Sequence, residues 1–91
     1  TRFRAWRASL DVVPAIASLR ARAEEIRNAE LAKLKGRVSD DERRTIESVT
    51  SQILNKLLHL PTIRMKEAAV SADGAAYADA VRHLFGLEDE S

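Results

Sequence analysis

The side chains able to do chemistry are few, and their spacing does not concentrate them. The chain has two histidines, His59 and His83, and no cysteine. That set leaves out disulfides and thiolate metal sites, and it falls short of the four cysteine or histidine ligands of a structural zinc site. His59 adjoins the Leu60-Pro61 turn, with no serine, acid or second histidine spaced to make it a general base. It is expected to hydrogen-bond at a helix end. His83 falls in a last helical turn, where a cation meets the negative end of the helix dipole. Glu24, Glu25 and Glu30 alternate with Arg27 and Lys33 at spacings of three and four. Such pairs make a solvated ionic face worth a few tenths of a kcal/mol each, not a catalytic carboxylate dyad. Arg2, Arg4 and Arg7 form a basic patch before the first acid, Asp11, yet 15 basic and 14 acidic residues leave a net charge of only +1. Strong phosphate-backbone binding calls for a basic excess on one face. All three glycines stand at expected helix ends, so no Gly-rich phosphate loop exists. A free-standing enzyme is not expected.

These residues ride on helices. Val13 to Lys35 is built from Ala, Leu, Arg, Glu and Lys, the strongest helix formers. Ile16, Leu19, Ala23, Ile26 and Ala29 or Glu30 recur at helical spacing along one face. Pro14 suits a first turn and Asp11 the position of a cap, so a break is expected at Asp11–Pro14. Upstream, Phe3, Trp6 and Leu10 are three and four apart and read as the end of another amphipathic helix, entering from a preceding domain. The Val13–Lys35 helix would be roughly 33 Å long, against a diameter near 30 Å for a compact globule of this length. A rod that spans the whole body predicts an elongated bundle that completes its core by pairing with another copy.

Gly36 is expected to end this helix in the left-handed conformation. Ser39-Asp40-Asp41-Glu42 is a capping box opening the next helix, which is expected to run to Leu58. Its stripe of Ile46, Val49, Ile53 and Leu57, widened by Leu54, Leu58 and Leu60, is broader than one neighbouring helix covers. The short connection from Gly36 to Asp40 sets the two long helices antiparallel. A second break is expected at His59–Thr62, with Pro61 opening a helix that packs through Ile63, Met65, Ala69 and Val70. Asp73 is placed to cap a last helix with Tyr77, Val81, Leu84 and Phe85 as its apolar face, stopped by Gly86-Leu87. Residues 87–91 read as a fraying acidic tail. The expected fold is an all-α antiparallel bundle of four to five helices, built on a long helical hairpin and dimeric. Ile16, Leu19, Ala23, Ile26, Ile46, Val49, Ile53 and Leu57 are expected to form its core and dimer interface. No apolar run approaches the ~20 residues of a membrane span, and the lack of cysteine fits a reducing cytoplasm.

One string is more specific than any of this. Asn55-Lys56-Leu57-Leu58-His59, Pro61-Thr62, Arg64, Lys66 and Glu67 lie downstream of Trp6, Val13-Pro14-Ala15-Ile16, Leu19-Arg20 and the Glu24–Glu30 helix. Together they resemble the C-terminal dimerisation domain of glutamyl-tRNA reductase, from about Phe3 to Phe85. The resemblance implies a parent enzyme that uses NADPH to reduce glutamyl-tRNA to glutamate-1-semialdehyde, opening the route to 5-aminolaevulinate and tetrapyrroles. It implies a V-shaped homodimer whose catalytic and nucleotide-binding domains join this one through a long spinal helix. Residues 1–10 would be the end of that incoming helix, and 11–91 the dimerisation domain. The family's nucleophilic cysteine and nucleotide fingerprint have no counterpart here, so no catalytic, cofactor or metal residue carries over. The alternative is a helical nucleic-acid-binding or protein-interaction module, with Arg2, Arg4, Arg7, Arg64 and Lys66 on phosphates.

Overall fold

The computed structural model describes residues 2–71 and 73–87, with residues 2–11 described as backbone only. The described residues form three α-helices and no strand: α1 (Arg2–Ala32), α2 (Asp40–Ala68) and α3 (Gly74–Leu84). The all-helical class holds, and the count of four to five does not, because neither expected break occurs. α1 runs through Asp11 and Pro14, and α2 through His59 and Pro61. A proline inside a helix removes one backbone hydrogen bond and crowds the preceding turn, costing about 3 kcal/mol. Packing on the same helix offsets this. Pro14 is exposed, while Val12 and Ala15 beside it are 1% and 0% exposed. Pro61 stands one turn before Met65, which is 2% exposed, and two turns before the buried Ala68. Asp11 therefore lies inside the helix and not ahead of a first turn. The side chains of Phe3, Trp6 and Leu10, the Arg2, Arg4 and Arg7 patch, and the acidic tail beyond Leu87 lie outside the described residues.

Local signals set the helix ends. After Ala32 the backbone tightens through Lys33→Glu30, Leu34→Leu31 and Lys35→Ala32 bonds and turns at Gly36, whose φ is +78°. The capping box is complete: the Glu42 N–H donates to Ser39 Oγ (3.2 Å) and the Ser39 N–H to Glu42 Oε1 (2.9 Å). The bond from the Ser39 N–H, with the Ser39 hydroxyl second, holds the Glu42 carboxyl below its ordinary value of 4.5. A depressed folded-state pKa stabilises at pH values above the unfolded one, and that contribution is lost as pH falls through the folded value. Ser39→Ala is expected to cost about 1 kcal/mol in chemical denaturation near neutral pH. At the other end, Leu87 N–H donates to the Arg82 carbonyl (2.8 Å) and Gly86, at φ +67°, to the His83 carbonyl (3.4 Å). This is the Schellman pair expected there. Asp73 is the N-cap residue of α3, but its side chain makes no capping bond.

α1 and α2 are antiparallel. Arg20 reaches Asn55, and Arg27 reaches Glu47 and Thr50, so cross-helix partners run in opposite directions along the chain. α3 folds back onto the first half of α1. The core there is Val12, Ala15, Met65 and Ala78, with Ile16, Ala69 and Val81 packed against it. The buried face of α3 is thus Gly74 and Ala78, whose small size allows close approach, whereas Tyr77, Leu84 and Phe85 are about half or more exposed. Val70, expected to pack, is 78% exposed. The body measures 55 × 24 × 15 Å, with a radius of gyration of 16.3 Å, against about 12 Å for a compact chain of this length.

Candidate association surface

The third helix is too short to cover the hairpin. An 11-residue helix is about 16 Å long, and it shields only the end where Val12, Ala15 and Met65 are buried. Toward the Gly36 turn the facing sides of α1 and α2 have no third layer. They enclose an open apolar groove of about 630 Å³. Leu19, Ala23 and Ile26 line the α1 wall, and Ile46, Ile53 and Leu57 the α2 wall. Each wall exists because apolar residues recur at three- and four-residue spacing on an otherwise charged helix.

The expected interface residues do not share one environment. Leu19 is 2% exposed and joins core to groove. Ile16 packs on the core and does not line the groove. Ile26, Ile53 and Leu57 are 51%, 53% and 69% exposed, although each lines the groove. Val49, 49% exposed, lies outside it. Leu31, Leu34 and Phe85 also line the groove. Leu31, eight residues after Ala23, keeps the helical period of the α1 stripe, and Leu34 follows it by three, a signal present in the sequence. Phe85 comes from the end of α3, and nothing local announced it. Covering three half-exposed side chains of this size contributes about 1 kcal/mol each, so the open groove is a liability for a lone chain and a driving force for anything that covers it.

One polar group crosses the groove. Arg27 donates through Nε to Thr50 Oγ1 (3.0 Å), through Nη2 to the Glu47 carbonyl (2.8 Å) and through Nη1 to Glu24 Oε2 (3.4 Å). The Thr50 hydroxyl in turn donates to the Ile46 carbonyl (2.8 Å). Elsewhere the surface is ionic and locally paired: Arg22 with Glu25, Lys33 with Glu30, Arg43 with Glu47, Arg44 with Asp41. His59 is exposed, and among the described residues no group of three His, Cys, Asp or Glu side chains is placed to hold a metal ion. No helix among them is long and apolar enough to cross a membrane. The chemistry of the arrangement is that of an open apolar surface rather than a catalytic centre.

Comparison with known proteins agrees with that chemistry. The family described as glutamyl-tRNA(Glu) reductase, dimerisation domain, matches residues 1–87. The chain is similar to the glutamyl-tRNA reductase of Chloroflexus aurantiacus, 43% identical over 89 residues, which is 94% of this chain and 20% of that protein. It is 44% identical over 86 residues to that of Geotalea uraniireducens, covering 91% and 20%. With the Streptomyces coelicolor enzyme it shares 37% over 92 residues, 98% and 16% of the two chains. The chain spans about a fifth of the length of the first of these relatives. No solved structure matches it.

Proposed function

Because the chain belongs to the glutamyl-tRNA(Glu) reductase dimerisation-domain family, we propose that its groove between α1 and α2 receives a second copy of the same chain. The observation that carries this is the half-exposed set Ile26, Ile53 and Leu57 on the walls of an otherwise folded hairpin. A two-fold pairing buries the same groove on both copies, which doubles the apolar area removed from water. Leu19, Ala23 and Ile46 would complete the contact, with Ile16 supporting it from the core and Val49 at its margin. Residues 1–10 would belong to the incoming spinal helix, which continues without a break into the pairing domain proposed over 11–91. The parent is an NADPH-dependent reductase acting on glutamyl-tRNA to give glutamate-1-semialdehyde for tetrapyrrole synthesis in the cytoplasm. This segment's part in it is to hold two subunits in fixed relation, and the catalytic residues and nicotinamide site belong to the rest of the polypeptide.

Light scattering on the purified chain tests the pairing. A particle of twice the chain mass that persists on dilution to low micromolar concentration is expected. A monomer at every concentration would overturn the reading. A nucleic-acid module is the weaker alternative, because Arg20, Arg22, Arg43, Arg44 and Arg64 each face an acid on their own helix. A salt-dependent shift of labelled transfer RNA by the isolated chain would raise it.

A further inference from the structure

A guanidinium group has five N–H donors. Arg27 spends three of them inside its own hairpin: one on Thr50, one on the Glu47 carbonyl and one on Glu24. One N–H therefore stays unspent on each terminal nitrogen. The side chain is 18% exposed in the single chain and lines the apolar groove, so water reaches it there. No buried side-chain nitrogen or oxygen among the described residues lacks a partner. Closing the groove changes this. Water is displaced, and a charged donor left unmatched under an apolar cover is strongly unfavourable. The other charged groove residues escape the problem at the rim: Arg22 and Glu30 are 44% and 64% exposed and pair with Glu25 and Lys33.

We propose that Arg27 is the register-determining residue of self-association: its two unspent N–H groups require the covering copy to present an oxygen acceptor at one position, and so select one alignment among the many that apolar walls tolerate. This rests on the pairing proposed above. The covering surface is otherwise greasy and nearly featureless, and leucine and isoleucine walls slide past one another at little cost. A single polar residue in such a seam discriminates because misaligned pairings leave it unsatisfied. The intrahelical and cross-helix bonds hold the guanidinium plane in place before the second copy arrives, so few rotamers remain to be frozen.

The test uses the 91-residue chain with Gln52→Cys, an exposed position off the groove, carrying a nitroxide; the chain has no other cysteine to be labelled. Inter-copy distances are measured by pulsed electron resonance in the parent, in Arg27→Met and in Thr50→Val. One narrow distance is expected for the parent, several for Arg27→Met, and one again for Thr50→Val, which removes the hydroxyl that accepts from Arg27 Nε but leaves the guanidinium held by the Glu47 carbonyl and Glu24. A single unchanged distance in Arg27→Met would overturn the proposal. Equal splitting in Thr50→Val would also overturn it, because the effect would then come from the hairpin's own geometry. If Arg27→Met loses its helical circular dichroism, Arg27→Lys, which keeps the charge without the planar fork, carries the same expectation. A parent chain that stays monomeric removes the pairing itself, a failure distinguishable from a well-defined dimer indifferent to Arg27.

Discussion

Ile53→Asp is expected to leave the helical hairpin folded and to abolish the proposed self-association. Ile53 is 53% exposed on the wall of the groove, so an aspartate there keeps most of its hydration in the single chain. The folding cost is about 1 kcal/mol or less, as for other partly exposed positions. In a pair the same carboxylate is pressed against apolar side chains with no cation fixed to meet it, once on each copy. An unpaired buried charge costs several kcal/mol, and about 4 kcal/mol already weakens a dissociation constant a thousandfold. Sedimentation should therefore find a monomer, with helical circular dichroism and thermal melting like those of a dissociated parent. Ile53→Val, which trims one methylene and keeps the wall apolar, should still pair. An Ile53→Asp chain that pairs as tightly as the parent would place the contact elsewhere.

Leu19→Asp acts on folding itself. Leu19 is 2% exposed and sits where the core meets the groove. The substitution loses about 2–3 kcal/mol of apolar burial and adds the desolvation of a carboxylate. A domain of this length is stable by about 5–13 kcal/mol, and one with an uncovered groove belongs at the low end. Most of the chain should be unfolded at room temperature, seen as loss of helical circular dichroism. Leu19→Ala, a cavity of the ordinary kind, costs about 2–5 kcal/mol and should fold with a lowered melting temperature. The two aspartate variants would thus separate roles that the apolar stripe of the sequence left merged: folding for Leu19 and, in the proposed pair, association for Ile53.

What was legible in the sequence was local. Ser39 and Glu42 are three residues apart, and their reciprocal bonds depend on nothing beyond that turn. Gly36 and Gly86 have the positive φ that their places at helix ends implied. The apolar stripes of α1 and α2 were legible because helical period alone puts Leu19, Ala23 and Ile26, or Ile46, Ile53 and Leu57, on one side. What failed was a local rule overruled from a distance. Pro14 and Pro61 signal breaks, but Val12, Ala15 and Met65 are buried against other helices and keep the backbone helical through both. α3 misled in the opposite sense. Of its expected apolar face, Val81 does pack on the core and Phe85 lines the groove, but Tyr77 and Leu84 stay exposed and close approach to α1 buries Gly74 and Ala78 instead. Arg27 read as one more i, i+3 ion pair with Glu24. Its reach to Thr50 and Glu47 depends on the alignment of two helices, which no spacing within one helix encodes.

The unbroken α1 has a mechanical consequence. Its 31 residues make a rod about 46 Å long, clamped along half its length and carrying no loop that could absorb a bend. A tilt of about ten degrees where the clamp grips moves the far tip, about 23 Å away, by roughly 4 Å. In the proposed pair, small misfits among a few isoleucines and leucines at the seam would become displacements at the tip of α1 wider than a hydrogen bond.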